Sequence, residues 1–239
     1  MLLDSDIPFI VTVTTKTACS LYSTNDIAVG KMNRVEMKSF CQKGILAVVD
    51  ASHPYAVEVS QSAIACAAKA NLPYLRYERA NLATAISTDA NITELASFDD
   101  LVAGDYLQNK RVLLTVGCKA LPLFKLWQSK AILFARILPR ISSLETASSA
   151  GFTSDRLIAI RPPLNRALET ALWQQWQIDL VVTKASGKAG GEDVKRQVAA
   201  DLNIPLIAIA RPQVIYPLQT SVFAEVVAFC RVNSFRDRL

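Results

Sequence analysis

Residues able to do chemistry gather where apolar runs end. Val48-Val49 leads into Asp50-Ala51-Ser52-His53-Pro54-Tyr55-Ala56, so a buried strand delivers polar groups directly to the start of a helix. Ser52 or His53 can sit at that helix's cap, beside free backbone N–H groups that favour a carboxylate or phosphate. His53 is also the only histidine of the chain. The same residues equally serve a plain cap and turn. Leu72-Pro73-Tyr74-Leu75-Arg76-Tyr77-Glu78-Arg79 reads as a short strand ending in two arginines around a glutamate. Arginine suits bidentate carboxylate recognition, and an Arg–Glu pair at a solvated strand end is the plainer alternative.

Two further strand ends carry glycine. Leu180-Val181-Val182-Thr183 continues into Lys184-Ala185-Ser186-Gly187-Lys188-Ala189-Gly190-Gly191, which holds three of the eight glycines. Such a loop lets backbone N–H groups approach an anion, while Lys184, Lys188 and Lys195 add positive charge. Its spacing is neither a Walker A loop nor a G-x-G-x-x-G fingerprint, and a flexible connection has the same composition. Leu114-Thr115-Val116-Gly117-Cys118-Lys119 is a fainter version, for which an ordinary strand-to-helix turn is sufficient.

The elements that must position these groups alternate along the chain. Strand-sized apolar runs occur at Phe9–Thr14, Ile45–Val49, Val112–Val116, Ile132–Ala135, Leu157–Ile160, Leu180–Thr183 and Leu206–Ala210. Helical spacing of apolar residues marks Pro54–Ala70, Asn165–Gln177 and Glu192–Leu202, with Pro54 suited to a first helical position. The alternation predicts an α/β protein with mostly parallel sheets. The polar stretch Arg79–Thr93 and a connecting helix at Ser97–Asn109 suggest a cut near residue 105. The expected organisation is two doubly wound (Rossmann/flavodoxin-like) lobes, 1–105 and 106–239, with a ligand cleft between them.

Composition narrows the function classes. With 51% hydrophobic and 20% charged residues and no charge block, a well-folded chain is expected. Its apolar runs fall far short of the ~20 residues of a membrane span, and Asp4 and Asp6 precede the first of them, unlike a signal peptide. A cytoplasmic protein without membrane contact is the expectation. The five cysteines are scattered and form no C-x-x-C pair, which argues for free thiols and against a metal site. A net charge of +5 spread along the chain supports an anionic small ligand as well as it does nucleic acid, and no basic-aromatic stripe favours the latter.

Taken together, DASHPYA at 50–56, LRYER at 75–79, LLTVG at 113–117, VTKASGKAGG at 182–191 and IPLIAIARP at 204–212 resemble the precorrin-6A reductase family in order and spacing. Asp-x-x-His-Pro and Lys-x-Ser-Gly-x-x-Gly are the specific elements. The resemblance implies a two-domain reductase of cobalamin biosynthesis that transfers hydride from NADPH to the C18–C19 double bond of precorrin-6A, or its cobalt form, to give precorrin-6B. It implies a polycarboxylate tetrapyrrole substrate, with His53, Tyr55, Arg76, Arg79, Lys184, Lys195 and Arg211 as candidate substrate contacts. Thr115, Gly117, Ser186, Gly187, Gly190 and Gly191 become candidate cofactor contacts, and His53 or a water it orients the candidate proton source. Members of the family begin with a strand, a Gly-Gly-Thr turn and a helix. Here Met1–Ser5 reads as the tail of that helix and Ile7–Thr14 as the second strand. The expectation is a native start upstream of Met1 and weak NADPH binding by this chain. Competing readings are a reductase for another anionic substrate, and a non-catalytic two-lobed protein that binds a tetrapyrrole or nucleotide.

Overall fold

A computed structural model describes residues 5–24, 26–80 and 91–234. In chain order they form β1 (Val11–Val13), β2 (Ile27–Val29), α1 (Arg34–Cys41), β3 (Val48–Asp50), α2 (Val57–Lys69) and β4 (Tyr74–Tyr77). There follow β5 (Ile92–Leu95), α3 (Phe98–Ala103), β6 (Arg111–Leu114), β7 (Ile132–Ile137), α4 (Ile141–Ser149), β8 (Leu157–Ala159) and α5 (Arg166–Gln175). The last are β9 (Leu180–Lys184), α6 (Glu192–Leu202), β10 (Leu206–Ile209), β11 (Gln219–Thr220) and α7 (Phe223–Ser234). Every strand pair among the described residues is parallel, as the alternation predicts.

The chain divides into two units: Met1–Arg79 with Gln213–Leu239, and Ala80–Pro212. A single cut near residue 105 is therefore corrected, for two reasons. β5 pairs with β10, Leu206 N–H donating to Asn91 O at 2.9 Å and Ala210 N–H to Leu95 O at 2.8 Å. In the other direction, β11 returns to β4, with Arg76 N–H on Leu218 O and Glu78 N–H on Thr220 O, both at 2.8 Å. The second unit is thus continuous in sequence and begins with β5, while the first takes its edge strand β11 from chain that follows the second.

In the first unit the described strands form a three-stranded sheet, β11-β4-β3, and a separate pair, β1-β2. Ile7–Thr14 accordingly contains β1. The reading of Met1–Ser5 falls almost wholly outside the described residues. Helix α1 starts with a capping box: Asn33 Oδ1 accepts from Val35 and Glu36 N–H, and Glu36 Oε2 accepts from Asn33 N–H.

The second unit holds a six-stranded sheet in the order β8-β7-β6-β9-β10-β5. Its middle strands are mostly apolar because helices cover both faces. One core contains Val112, Leu114, Leu133, Ala135, Val182 and Ile207, the other Leu113, Phe134, Val181, Leu206 and Ala208 around Trp173. The odd and even residues of each strand serve opposite cores, as the period of two demands. From β6 the chain winds outward through β7 and β8, then returns to the other side of β6 with β9. That reversal makes the carboxyl ends of β6 and β9 the topological switch point of the sheet.

Candidate ligand-binding site at the strand ends

The β6 and β9 loops, recognised separately in the sequence, are neighbours in the second unit. Thr115 joins them: its N–H and its Oγ1–H both donate to Val182 O, at 2.8 and 3.0 Å. Both donors of Thr115 are thus taken by the scaffold. Gly117 follows with φ +79° and ψ 158°, a region essentially reserved for glycine, and a Cβ there would meet nothing within 4 Å. The backbone can be approached from that side.

After β9 the loop is tightly wound. Gly187 and Gly191 adopt φ +71° and +67°, and Gly191 starts α6 without a side-chain cap. A Cβ on Gly190 would lie 2.0 Å from Ser186 Oγ, so close packing, and not φ, requires glycine there. The glycine N–H groups do not face a ligand. Gly187 N–H donates to Glu192 Oε2 at 2.8 Å, Gly190 N–H to Gly187 O at 2.9 Å, and Gly191 N–H to Lys188 O at 2.8 Å. Among the described residues no acceptor takes the N–H of Lys188 or Ala189, and both residues are exposed. Glycine therefore shapes the loop, and Lys188 and Ala189 leave their N–H groups open.

The basic residues here divide into two kinds. Lys184 stands half-buried at the end of β9, its Nζ 5.7 Å from the centre of the Phe98 ring. Burial lowers its pKa, and the nearby Lys119 ammonium lowers it further, so two cations share the mouth of the switch point. Lys195 is only 2% exposed and points inward, donating to Gly190 O at 3.1 Å and Gly191 O at 2.8 Å. Its expected role as a substrate contact is corrected, because two of its three protons are held by the loop and its surface is gone. Arg211, also half-buried, donates from Nε to Ala185 O at 2.7 Å and from Nη2 to Ala80 O at 3.2 Å.

In the first unit, Asp50 and Arg76 are direct partners in the β3–β4 register. Arg76 Nη1 donates to Asp50 Oδ1 and Ser52 Oγ, each at 3.0 Å, and Nε donates to Glu78 Oε2 at 2.9 Å. Tyr216 lies against the guanidinium at 5.3 Å, and the residue is 1% exposed. Arg76 as a substrate contact is corrected too: acids of its own sheet edge surround it. Burial alone would raise the Asp50 pKa, but hydrogen bonds from Ser52, Ser60 and Tyr74 outweigh it and hold the carboxyl below its ordinary value. Tyr74 donates to Asp50 Oδ2 at 2.7 Å, and its own pKa is driven upward by burial and by that carboxylate.

Helix α2 begins at Val57 with Ala56 as cap residue and no side-chain capping bond, so neither Ser52 nor His53 caps it and Pro54 lies in the preceding turn. Ser52 N–H closes a turn on Asp50 Oδ1 at 2.9 Å. His53 is exposed and accepts Tyr55 N–H on Nδ1 at 3.2 Å, which puts the proton of its neutral ring on Nε2. Tyr55 is half-buried, its ring 5.7 Å from that of His53. Arg79 is half-buried at the end of this strand segment.

A family model described as precorrin-6x reductase CbiJ/CobK matches residues 1–231. The chain belongs to the precorrin-6x reductase family. It is 46% identical over 229 residues to a cobalt-precorrin-6A reductase of Synechocystis, covering 93% of this chain and 86% of that one. A cobalt-precorrin-6A reductase of Priestia megaterium is 36% identical over 84% of this chain and 79% of its own length. The solved structure of a CobK precorrin-6A reductase superposes with a TM-score of 0.79 over 97% of this chain and 90% of that one, at 21% identity, a likeness in fold.

For this member of the precorrin-6x reductase family, residue types alone did not mark the supporting acids. Glu192 is fully buried and pairs with Arg196 at 2.8 Å, while Arg196 reaches Glu94 at 3.1 Å. Glu169 receives Trp173 Nε1–H at 3.1 Å and pairs with Arg136. The i,i+4 spacings of Glu192 and Arg196, and of Glu169 and Trp173, are the signal that could have found them. Among the described residues no cluster of potential metal ligands occurs, and all five cysteines are free thiols. No helix among them is long and apolar enough to cross a membrane.

Proposed function

We propose that this chain reduces precorrin-6A, or its cobalt form, to precorrin-6B with NADPH, as a cytoplasmic step of cobalamin biosynthesis. The observation that carries the reading is the 46% identity to a cobalt-precorrin-6A reductase along 93% of the chain. The strand-end geometry supports it, because cofactor and substrate are both polyanions. When bound, NADPH supplies the hydride, and one proton completes the addition across the C18–C19 double bond.

The chain's own residues have three tasks. Lys184, Lys119 and the N–H groups of Lys188 and Ala189 bind an anionic group, a phosphate of NADPH or a carboxylate of the macrocycle, at the switch point. Gly117 leaves its backbone open to that ligand, and Thr115, Ser186, Gly187, Gly190 and Gly191 keep the two loops in shape. Cations facing carboxylates, here Lys184 with Arg211 as a further candidate in the same unit, orient the macrocycle. In the first unit, the exposed His53 is the candidate proton source, either by orienting a water through Nε2–H or, once protonated and released from Tyr55 N–H, as the imidazolium, whose ordinary pKa lies near neutrality.

An anaerobic assay with precorrin-6A and with its cobalt form tests the reading. NADPH absorbance and the visible bands of the macrocycle should change together. A shift of the macrocycle bands with no NADPH consumed would instead identify a tetrapyrrole-binding protein.

A further inference from the structure

We infer that Lys195 is a positioning residue that holds the 185–191 loop from behind, so that Lys188 and Ala189 present their N–H groups to an anionic ligand. This rests on the proposed role of the loop as an anion contact.

The loop is clamped at three places. Arg211 Nε holds Ala185 O at 2.7 Å, Glu192 Oε2 holds Gly187 N–H at 2.8 Å, and Lys195 Nζ holds Gly190 O and Gly191 O at 3.1 and 2.8 Å. Lys188 and Ala189, whose donors no described residue takes, lie between the second clamp and the third. Releasing the third frees one side of the turn that displays them. The Gly191 Cα stands close against the ammonium, since a Cβ there would lie 3.7 Å from Nζ. An apolar side chain could fill the volume but donates nothing; gathering two carbonyls takes at least two N–H donors, and the charge of the ammonium strengthens both bonds.

The charged groups facing Lys195 are Arg136 from β7, Glu169 from α5, and Glu192 and Asp193 from α6. Arg136 is paired with Glu169, and Glu192 with Arg196. Burial is the largest influence and, with Arg136, lowers the Lys195 pKa to about 8. The clamp is therefore charged at neutral pH and loses its charge just above it.

The test measures kcat and KM for NADPH and for precorrin-6A from below to above pH 8, the region of the Lys195 transition. Wild type is compared with Lys195→Met, Lys195→Arg and Gly190→Ala. Lys195→Met is expected to raise the KM of the loop-bound reactant about tenfold with kcat within about twofold, the pattern of lost ground-state binding. Wild-type kcat/KM for that reactant should fall as pH rises through about 8. The fall should vanish in Lys195→Met and move to higher pH in Lys195→Arg, which should recover part of the affinity. Wild-type KM values and an unmoved alkaline limb in the Lys195 variants would overturn the inference. Should Lys195→Met not fold, the position of the limb in Lys195→Arg decides. Gly190→Ala separates the two ideas. If it leaves both KM values unchanged, the loop is no ligand contact and both fall. If it raises one KM while the Lys195 variants do not, the loop reading stands and the positioning role fails. The reactant whose KM responds identifies the anion as phosphate or carboxylate.

Discussion

The strand end at β3 and the strand end at β9 look alike in sequence, each an apolar run delivering polar groups to a helix, and the structure uses them differently. At β3 the charges face each other: Arg76 is flanked by Asp50 at 3.0 Å and Glu78 at 2.8 Å, while His53 is exposed. At β9 the acids lie behind the loop, where Glu192 and Arg196 are buried together, while Lys184 and Lys188 remain at its outer edge. A basic residue at a strand end is therefore available to a ligand only if no carboxylate of its own sheet edge is in register with it. Asp50 opposite Arg76 is the decisive pair.

The largest way to break this contrast is Asp50→Ala. Leaving the Arg76 guanidinium buried without its partner should cost about 3–5 kcal/mol, seen as a lower melting temperature and denaturation midpoint. Arg76→Lys should not imitate the wild type, because one ammonium cannot bridge Asp50, Ser52 and Glu78. The pH dependence follows from the depressed Asp50 pKa: its stabilisation is present above the unfolded value of about 3.9 and is lost as pH falls through the lower folded value. Asp50→Asn should flatten that acid limb.

Two glycine substitutions sharpen the reading of the other region. Gly117→Ala places a side chain at φ +79° and should cost about 1–3 kcal/mol of stability from strain alone, since the space around it is open. Gly190→Ala has the opposite signature. Its clash is with Ser186 Oγ at 2.0 Å, so the loop must shift, and the larger effect should appear in KM and not in the melting temperature.

A second pH effect concerns Lys195 and stability, and its sign is opposite to that of Asp50. Because the folded pKa is lowered to about 8 from 10.5, the unfolded chain binds more protons between those values. Stability relative to Lys195→Met should therefore rise with pH across that window, as the penalty of burying a charge disappears. Parallel pH–melting curves for the two proteins would show that the ammonium is not desolvated.

Sequence by itself determined the elements and their class. Periodicity of two and of 3.6 placed most strands of the second unit and helices α5 and α6 close to where they lie. It also brought forward the β6 and β9 loops, because glycine beside lysine is visible in one dimension. The tertiary structure alone decided three things. Short strands with little apolar signal, such as β5 and β11, belong to sheets chosen by long-range pairing, which no local pattern encodes. Whether a lysine or arginine faces a ligand or the interior depends on the acceptors it meets: the Asp50 carboxylate set opposite Arg76 by strand pairing, and the Gly190 and Gly191 carbonyls exposed to Lys195 by the winding of the loop. The adjacency of the Thr115 and Ser186 loops follows from the reversal of strand order at β6 and β9, which exists only once the sheet has formed.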